Sequence, residues 1–164
     1  MSTIRLTREE RWALLAAAGS QELIGLADAC LGAAEAFQVI VPPQVGCVSV
    51  QVREPIMKQR FLLGDVLACS AEVELDGQRG WALRFGDDQA AVLAMAIVDA
   101  AASVRPADGD VPSGDGDAPS GDGDGDGVAG QIDRLCAELA RRLRQEEAAE
   151  WAELAPTVVE FEEL

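Results

Sequence analysis

The sequence predicts an α+β protein: an antiparallel β-sheet with helices packed on it, then a Gly/Asp-rich linker and a C-terminal helical arm. Three observations carry that expectation. Between residues 48 and 85, apolar and polar residues alternate with the period of a half-buried strand. The alternation breaks at Asp76-Gly77, a dipeptide suited to the positive φ angles of a tight hairpin turn. On both sides of this region apolar residues recur at helical spacing instead. Finally, residues 106–130 are almost entirely Pro, Gly, Ser, Asp and Ala, and Pro-Ser-Gly-Asp-Gly-Asp occurs twice, at 112–117 and 119–124. Such a segment buries too little apolar surface to offset its ordering entropy, so it is expected to be disordered. The chain thereby divides into a core domain (1–105), a linker (106–130) and a C-terminal helix with a docking tail (131–164).

Each element has its own signal. Thr7 and Glu10 form a capping-box pattern that opens a helix running to about Ala18, with Trp12 and Leu15 on one face. Ser20 starts a second helix, with Leu23, Ala27, Cys30 and Leu31 at helical spacing and Gly32 near its end. Residues 37–41 read as a short strand stopped by Pro42-Pro43. Val48, Val50 and Val52 mark a second strand. A third places Leu67, Cys69, Ala71, Val73 and Leu75 on one face and Glu72 and Glu74 on the other. The return strand puts Trp81, Leu83 and Phe85 opposite Ala82 and Arg84. Gly86-Asp87-Asp88 caps a helix to about Ser103 whose sides are nearly all apolar, as expected of one buried across the sheet or at an interface. Beyond the linker, Ile132, Leu135, Leu139 and Leu143 form the stripe of a helix ended by Pro156, and 157–161 read as a strand-like docking segment.

Composition narrows the function classes. The 164 residues carry a net charge of −16, contain no histidine and no tyrosine, and include a single lysine, Lys58. A surface this acidic repels phosphate backbones, which argues against nucleic-acid binding. The missing histidines remove the commonest general base near neutral pH and the commonest metal ligand. The four cysteines, Cys30, Cys47, Cys69 and Cys136, form no C-x-x-C pair and sit among apolar neighbours, so each reads as a small buried hydrophobe. With no signal-peptide pattern and no bilayer-length apolar run, the expectation is a cytoplasmic protein without membrane attachment.

Little of the usual chemistry is present. There is no Ser/His/Asp set, no His/Cys cluster and no phosphate-cradling P-loop, and no catalytic residue is assigned. Arg53, Lys58 and Arg60, beside Gly64 and Asp65, form a candidate anion contact. Residues 45–86 hold as many acidic as basic side chains, so a solvated loop is the favoured reading. Asp65 is favoured as a turn residue over an acid or base. In the linker, Asp122, Asp124, Asp126 and Gly127 match positions of a calcium loop, with Asp133 at the twelfth position. The twelfth residue is not glutamate, and a tandem Gly-Asp repeat generates this spacing unaided. The linker reading is favoured, with a calcium- or small-molecule-binding module using residues 122–133 as the alternative function.

Several residues, taken in order, resemble the PhnG family, the G subunit of the bacterial carbon–phosphorus lyase core complex. They are Arg11-Trp12 with Leu15-Ala16, the strand from Val45 to Val50, Arg60-Phe61, Gly64-Asp65, Val73, Asp76-Gly77, Gly80-Trp81, Gly86, Asp99-Ala100 and Val159-Glu160-Phe161. Three places depart from the family pattern. Residues 54–58 stand where a glycine-rich turn is usual, Cys69-Ser70 replaces a threonine-arginine pair, and Asp87-Asp88-Gln89 replaces arginine-aspartate-lysine. The resemblance implies a role in phosphonate degradation, in a transferase-class complex (ribose 1-methylphosphonate 5-triphosphate synthase). That complex uses MgATP and a phosphonate to form a ribose 1-phosphonate 5-triphosphate and release adenine. It further implies H-, I- and J-type subunits as partners, no cofactor held by this chain alone and no catalytic residue to carry over. Trp81, Phe85, Val159 and Phe161 are the candidate partner-contact residues.

Overall fold

The computed structural model describes residues 6–103 and 127–155. Thr7 caps the first helix, α1 (Arg8–Ala16), as its capping box requires: the Glu10 amide donates to Thr7 Oγ1 at 3.2 Å and the Thr7 amide donates to Glu10 Oε2 at 2.8 Å. After a three-residue break comes α2 (Ser20–Ala33), then three strands and two more helices: β1 (Phe37–Arg53), β2 (Arg60–Leu75), β3 (Gln78–Phe85), α3 (Gln89–Ser103) and α4 (Val128–Leu154). The strands form an antiparallel meander in the order β1-β2-β3. This is the α+β architecture expected, with a C-terminal helix.

The meander is organised by its turns. Asp76 and Gly77 take φ of 48° and 77°, the pair of positive angles that a type I′ hairpin demands. Asp76 also accepts the amides of Glu35 and Ala36 on its Oδ1 (3.0 and 2.8 Å), tying the entry to β1 to the β2–β3 turn. Asp88 opens α3 by accepting the Ala91 amide at 2.9 Å, and the Ser20 hydroxyl donates to its other oxygen, so one carboxylate fixes the starts of α2 and α3 together.

One expectation about the strands is overturned. Pro42-Pro43 does not stop a strand; β1 runs through both prolines for 17 residues. The reason is position. β1 lies at the sheet's edge, and its pairing with β2 slips between Val39 and Val41 and again between Val41 and Gln44. Bulges on an edge strand are where a residue without an N–H can sit in a sheet.

The helices cover one face. On that face β2 buries Cys69, Ala71, Val73 and Leu75, and opposite them on β3 lie Arg84, Ala82, Gly80 and Gln78. α3 lies across β2 and β3 with Val92, Met95, Ala96 and Ala100 buried, while α2 packs on α3. α4 joins the same core through Ile132, Cys136 and Leu139, and Arg142 grips Glu22 of α2 with two hydrogen bonds of 3.1 Å. That ion pair, together with the Gly19 amide, holds the Glu22 carboxyl below its usual range. Arg142 of α4 therefore has an acidic partner within the chain. From Arg144 onward every residue of α4 is exposed, Trp151 included.

Candidate protein interface

β3 accompanies β2 only from Leu75 back to Ala68, whereas β1 pairs with β2 all the way to Arg53 and Arg60. Beyond Ala68, β1 and β2 therefore continue as a two-stranded ribbon roughly 20 Å long. None of residues 60–67 is buried. The ribbon is nonetheless apolar. Val48 with Val66 and Val52 with Phe61 face outward, away from the helices. Leu67, beside Cys47, continues the face that becomes the core further along. An extra residue, Leu63, interrupts the pairing between Val50 and Gln51, next to Gly64 at φ 152°. The loop at the tip leaves Ile56 87% and Met57 73% exposed.

The apolar character continues from the ribbon onto the sheet. On the outer face Phe85 lies beside Ala68 and Gly46, and Leu83 beside Ser70 and Gln44. The small residues Gly46 and Ala68 leave a depression of about 190 Å³, walled by Val48, Ser70 and Leu83 among others. Phe85, the cross-strand neighbour of Ala68, is 67% exposed. Trp81 is on the same face but is partly engaged. Its ring stacks on Trp12 (centroids 4.9 Å apart, planes at 15°), and the Trp12 indole N–H donates to the Trp81 carbonyl at 2.9 Å.

The basic residues of the candidate anion contact come together at the tip. Arg53 and Arg60 are the last cross-strand pair, at strand ends rather than in a loop, and Lys58 occupies the intervening turn at φ 56°. Both nearby acids are engaged elsewhere. The Glu54 carboxylate accepts the amides of Ile56 (2.8 Å) and Met57 (2.6 Å). Asp65 is not a turn residue: it stands within β2, directly opposite Ser49, and accepts that hydroxyl at 2.5 Å. Its short side chain finds a cross-strand partner, which removes the need for a turn. Gly64 serves the bulge and contributes no side chain to the tip.

A second cluster was not legible as a site. Asp99, 1% exposed, accepts Arg8 Nη2 at 2.6 Å, Arg8 Nε at 3.2 Å and the Trp81 amide at 3.1 Å, with Arg11 Nη2 3.9 Å away. The carboxylate beside Arg8 raises the guanidinium's pKa further. This knot ties α1 to α3 and β3 under an open cavity of about 490 Å³, lined by Arg8, Glu9, Trp12, Ala13, Trp81 and Asp99. The available signal was a lone carboxylate inside the apolar run 90–102, which sequence pattern cannot connect to an arginine 91 positions away.

Most of the remaining candidates lie outside the described residues. Asp133 is half-buried within α4, while Asp122, Asp124 and Asp126 lie outside the described residues, as do Val159 and Phe161. Among the described residues no group of three His, Cys, Asp or Glu side chains is placed to hold a metal ion. Nor is any described helix long and apolar enough to cross a membrane. Cys30, Cys69 and Cys136 are buried as expected, but Cys47 is exposed because it sits on the ribbon, beyond the helical layer. Burial pushes the Cys30 and Cys136 thiols up to about 11 and raises Cys69 as well. Alkylation of the native protein with a maleimide at pH 7 should accordingly label one thiol, Cys47. Rapid modification of two or more, counted by intact mass, would contradict this placement.

These features define the class by architecture: a two-layer α+β protein whose antiparallel sheet outruns the helices that cover it and leaves large apolar side chains exposed on its ribbon and outer face. The chain belongs to the PhnG family of phosphonate metabolism; the family model for phosphonate metabolism protein PhnG matches residues 6–110. No curated protein matches the chain. The family match ends before α4, so the resemblance seen in Val159-Glu160-Phe161 falls outside both the matched and the described residues.

Proposed function

We propose that this chain is a non-catalytic subunit of the carbon–phosphorus lyase core complex. In this reading it supports the conversion of MgATP and a phosphonate into a ribose 1-phosphonate 5-triphosphate and adenine, beside H-, I- and J-type subunits in the cytoplasm. Membership of a phosphonate-metabolism family supports the pathway. The observation that carries the subunit role is the uncovered apolar surface: Phe85 and Phe61 on the outer face, with Leu62, Leu63, Ile56 and Met57 on the ribbon and its tip, all half or more exposed. An isolated soluble chain rarely leaves so continuous an apolar patch to water, and patches of this kind mark protein contacts. The chain's part is to bind and orient its neighbours; MgATP and the phosphonate are handled by the complex.

Co-expression with the H-, I- and J-type subunits, followed by size exclusion with mass detection, tests the reading. One stable complex containing this chain is the expected result. Elution of the chain alone, folded and monodisperse, in the presence of all three would overturn it.

A further inference from the structure

We infer that the β1–β2 ribbon is the partner-binding element, and that it enters a protein cleft whose far end presents carboxylates to Arg53, Lys58 and Arg60. The inference rests on the subunit reading and names which surface of the chain is used and what chemistry meets it.

Three observations lead there. First, the ribbon exposes large apolar side chains on both faces, Val48, Val66 and Phe61 on one and, among Ser49, Gln51 and Asp65, Leu67 and Leu62 on the other. A flat surface would cover one face and leave the second wet, whereas a cleft covers both. Two strands alone are at best marginally stable in water, so such a ribbon gains order from what surrounds it. Second, its tip is cationic on a chain of net charge −16. Arg53 and Arg60 are directly opposite, an arrangement that destabilises a strand pair, and among the described residues no carboxylate pairs with either of them or with Lys58. The two acids of the ribbon are taken up by the Ile56 and Met57 amides and by Ser49. An acidic group on the partner relieves the repulsion and supplies charge-assisted hydrogen bonds. Third, the chain's overall charge repels nucleic acid and anionic membrane alike, leaving a protein as the source of those carboxylates. A second copy of this chain would bring the same −16 charge with it.

The test uses the co-expressed complex described above, with wild-type and variant full-length chains carrying different tags and competing for incorporation. Arg53→Glu/Arg60→Glu should be incorporated about 100-fold less than wild type, and Phe61→Ser at least about 10-fold less. Both variants alter exposed side chains, and circular dichroism of the free chains checks that they fold. Incorporation of the arginine variant should recover when the tip is returned to Arg53→Lys/Arg60→Lys. Alkylation of Cys47 on the ribbon should slow at least 10-fold in the wild-type complex. Equal incorporation of both variants into a complex that does form would overturn the ribbon assignment while leaving the subunit reading intact. Failure of the wild type to enter any complex overturns both. A wild-type homodimer that Phe61→Ser converts to monomer would assign the ribbon to a second copy and overturn the acidic-cleft partner.

Discussion

Replacing Gly80 with alanine should destabilise the protein by about 3 kcal/mol or more, the upper end of what overpacking a core produces. A Cβ built there lies 2.0 Å from the Ala96 carbonyl oxygen, 2.5 Å from the Ala100 amide nitrogen and 2.7 Å from the Ala100 Cβ. The first two are backbone atoms of α3 and cannot swing aside as a side-chain tip would. Relief requires moving the whole helix off β3, which would uncouple Met95, Val92 and Ala96 from the sheet. Urea denaturation of the full chain measures the effect. A Gly46→Ala control, at a position with nothing within 4 Å, should stay within about 0.5 kcal/mol of wild type. If the two variants proved equally stable, the close approach of α3 to β3 would be wrong.

The second large effect concerns Asp99. Asp99→Ala should cost about 3 kcal/mol, the lower end for breaking a buried ion pair. The lower end applies because Arg8, with its side chain 57% exposed, can return to water once released. What cannot be resolvated easily is the Trp81 amide, which loses its acceptor, and Arg11, only 15% exposed and with a buried Nε that already lacks a partner. Arg8→Ala should be milder, about 1 kcal/mol, since the carboxylate keeps the Trp81 amide and the neighbouring Arg11. Tryptophan fluorescence gives a second readout, because releasing α1 separates Trp12 from Trp81. An Asp99→Ala variant as stable as wild type, with unchanged fluorescence, would mean that the cluster does not anchor α1.

Both effects depend on contacts across long stretches of chain, and that explains what pattern reading reached and what it missed. The capping box at Thr7, the Asp76-Gly77 turn, the Asp88 cap and the two-residue alternation of β2 involve neighbours a few positions apart, and each appears as expected. Where a residue's role depends on which strand lies beside it, the same patterns misled. The prolines of β1 looked like a stop because their tolerance comes from the edge position and its slipped pairing. Asp65 looked like a turn residue because its partner, Ser49, is on another strand. Cys47 looked buried because its neighbours are apolar, but the helices end before reaching it.

The candidate interface divides in the same way. Arg53, Lys58 and Arg60 are candidates by residue type, with a solvated loop the favoured reading, Trp81 and Phe85 are candidate partner contacts, and the order of short motifs points to the family that the match over residues 6–110 shows. The helices, the β2–β3 hairpin, their turns and caps and the charge are legible in the sequence because they follow from chemistry within a few residues, and the family from the order of short motifs. That β1 and β2 extend past their helical cover, that the two arginines close the ribbon as a like-charged pair, and that Asp99 binds α1 to the sheet could be seen in the packed fold alone. Each of these is set by pairing register and by where one layer of the fold ends, quantities that exist only once distant parts of the chain are packed together.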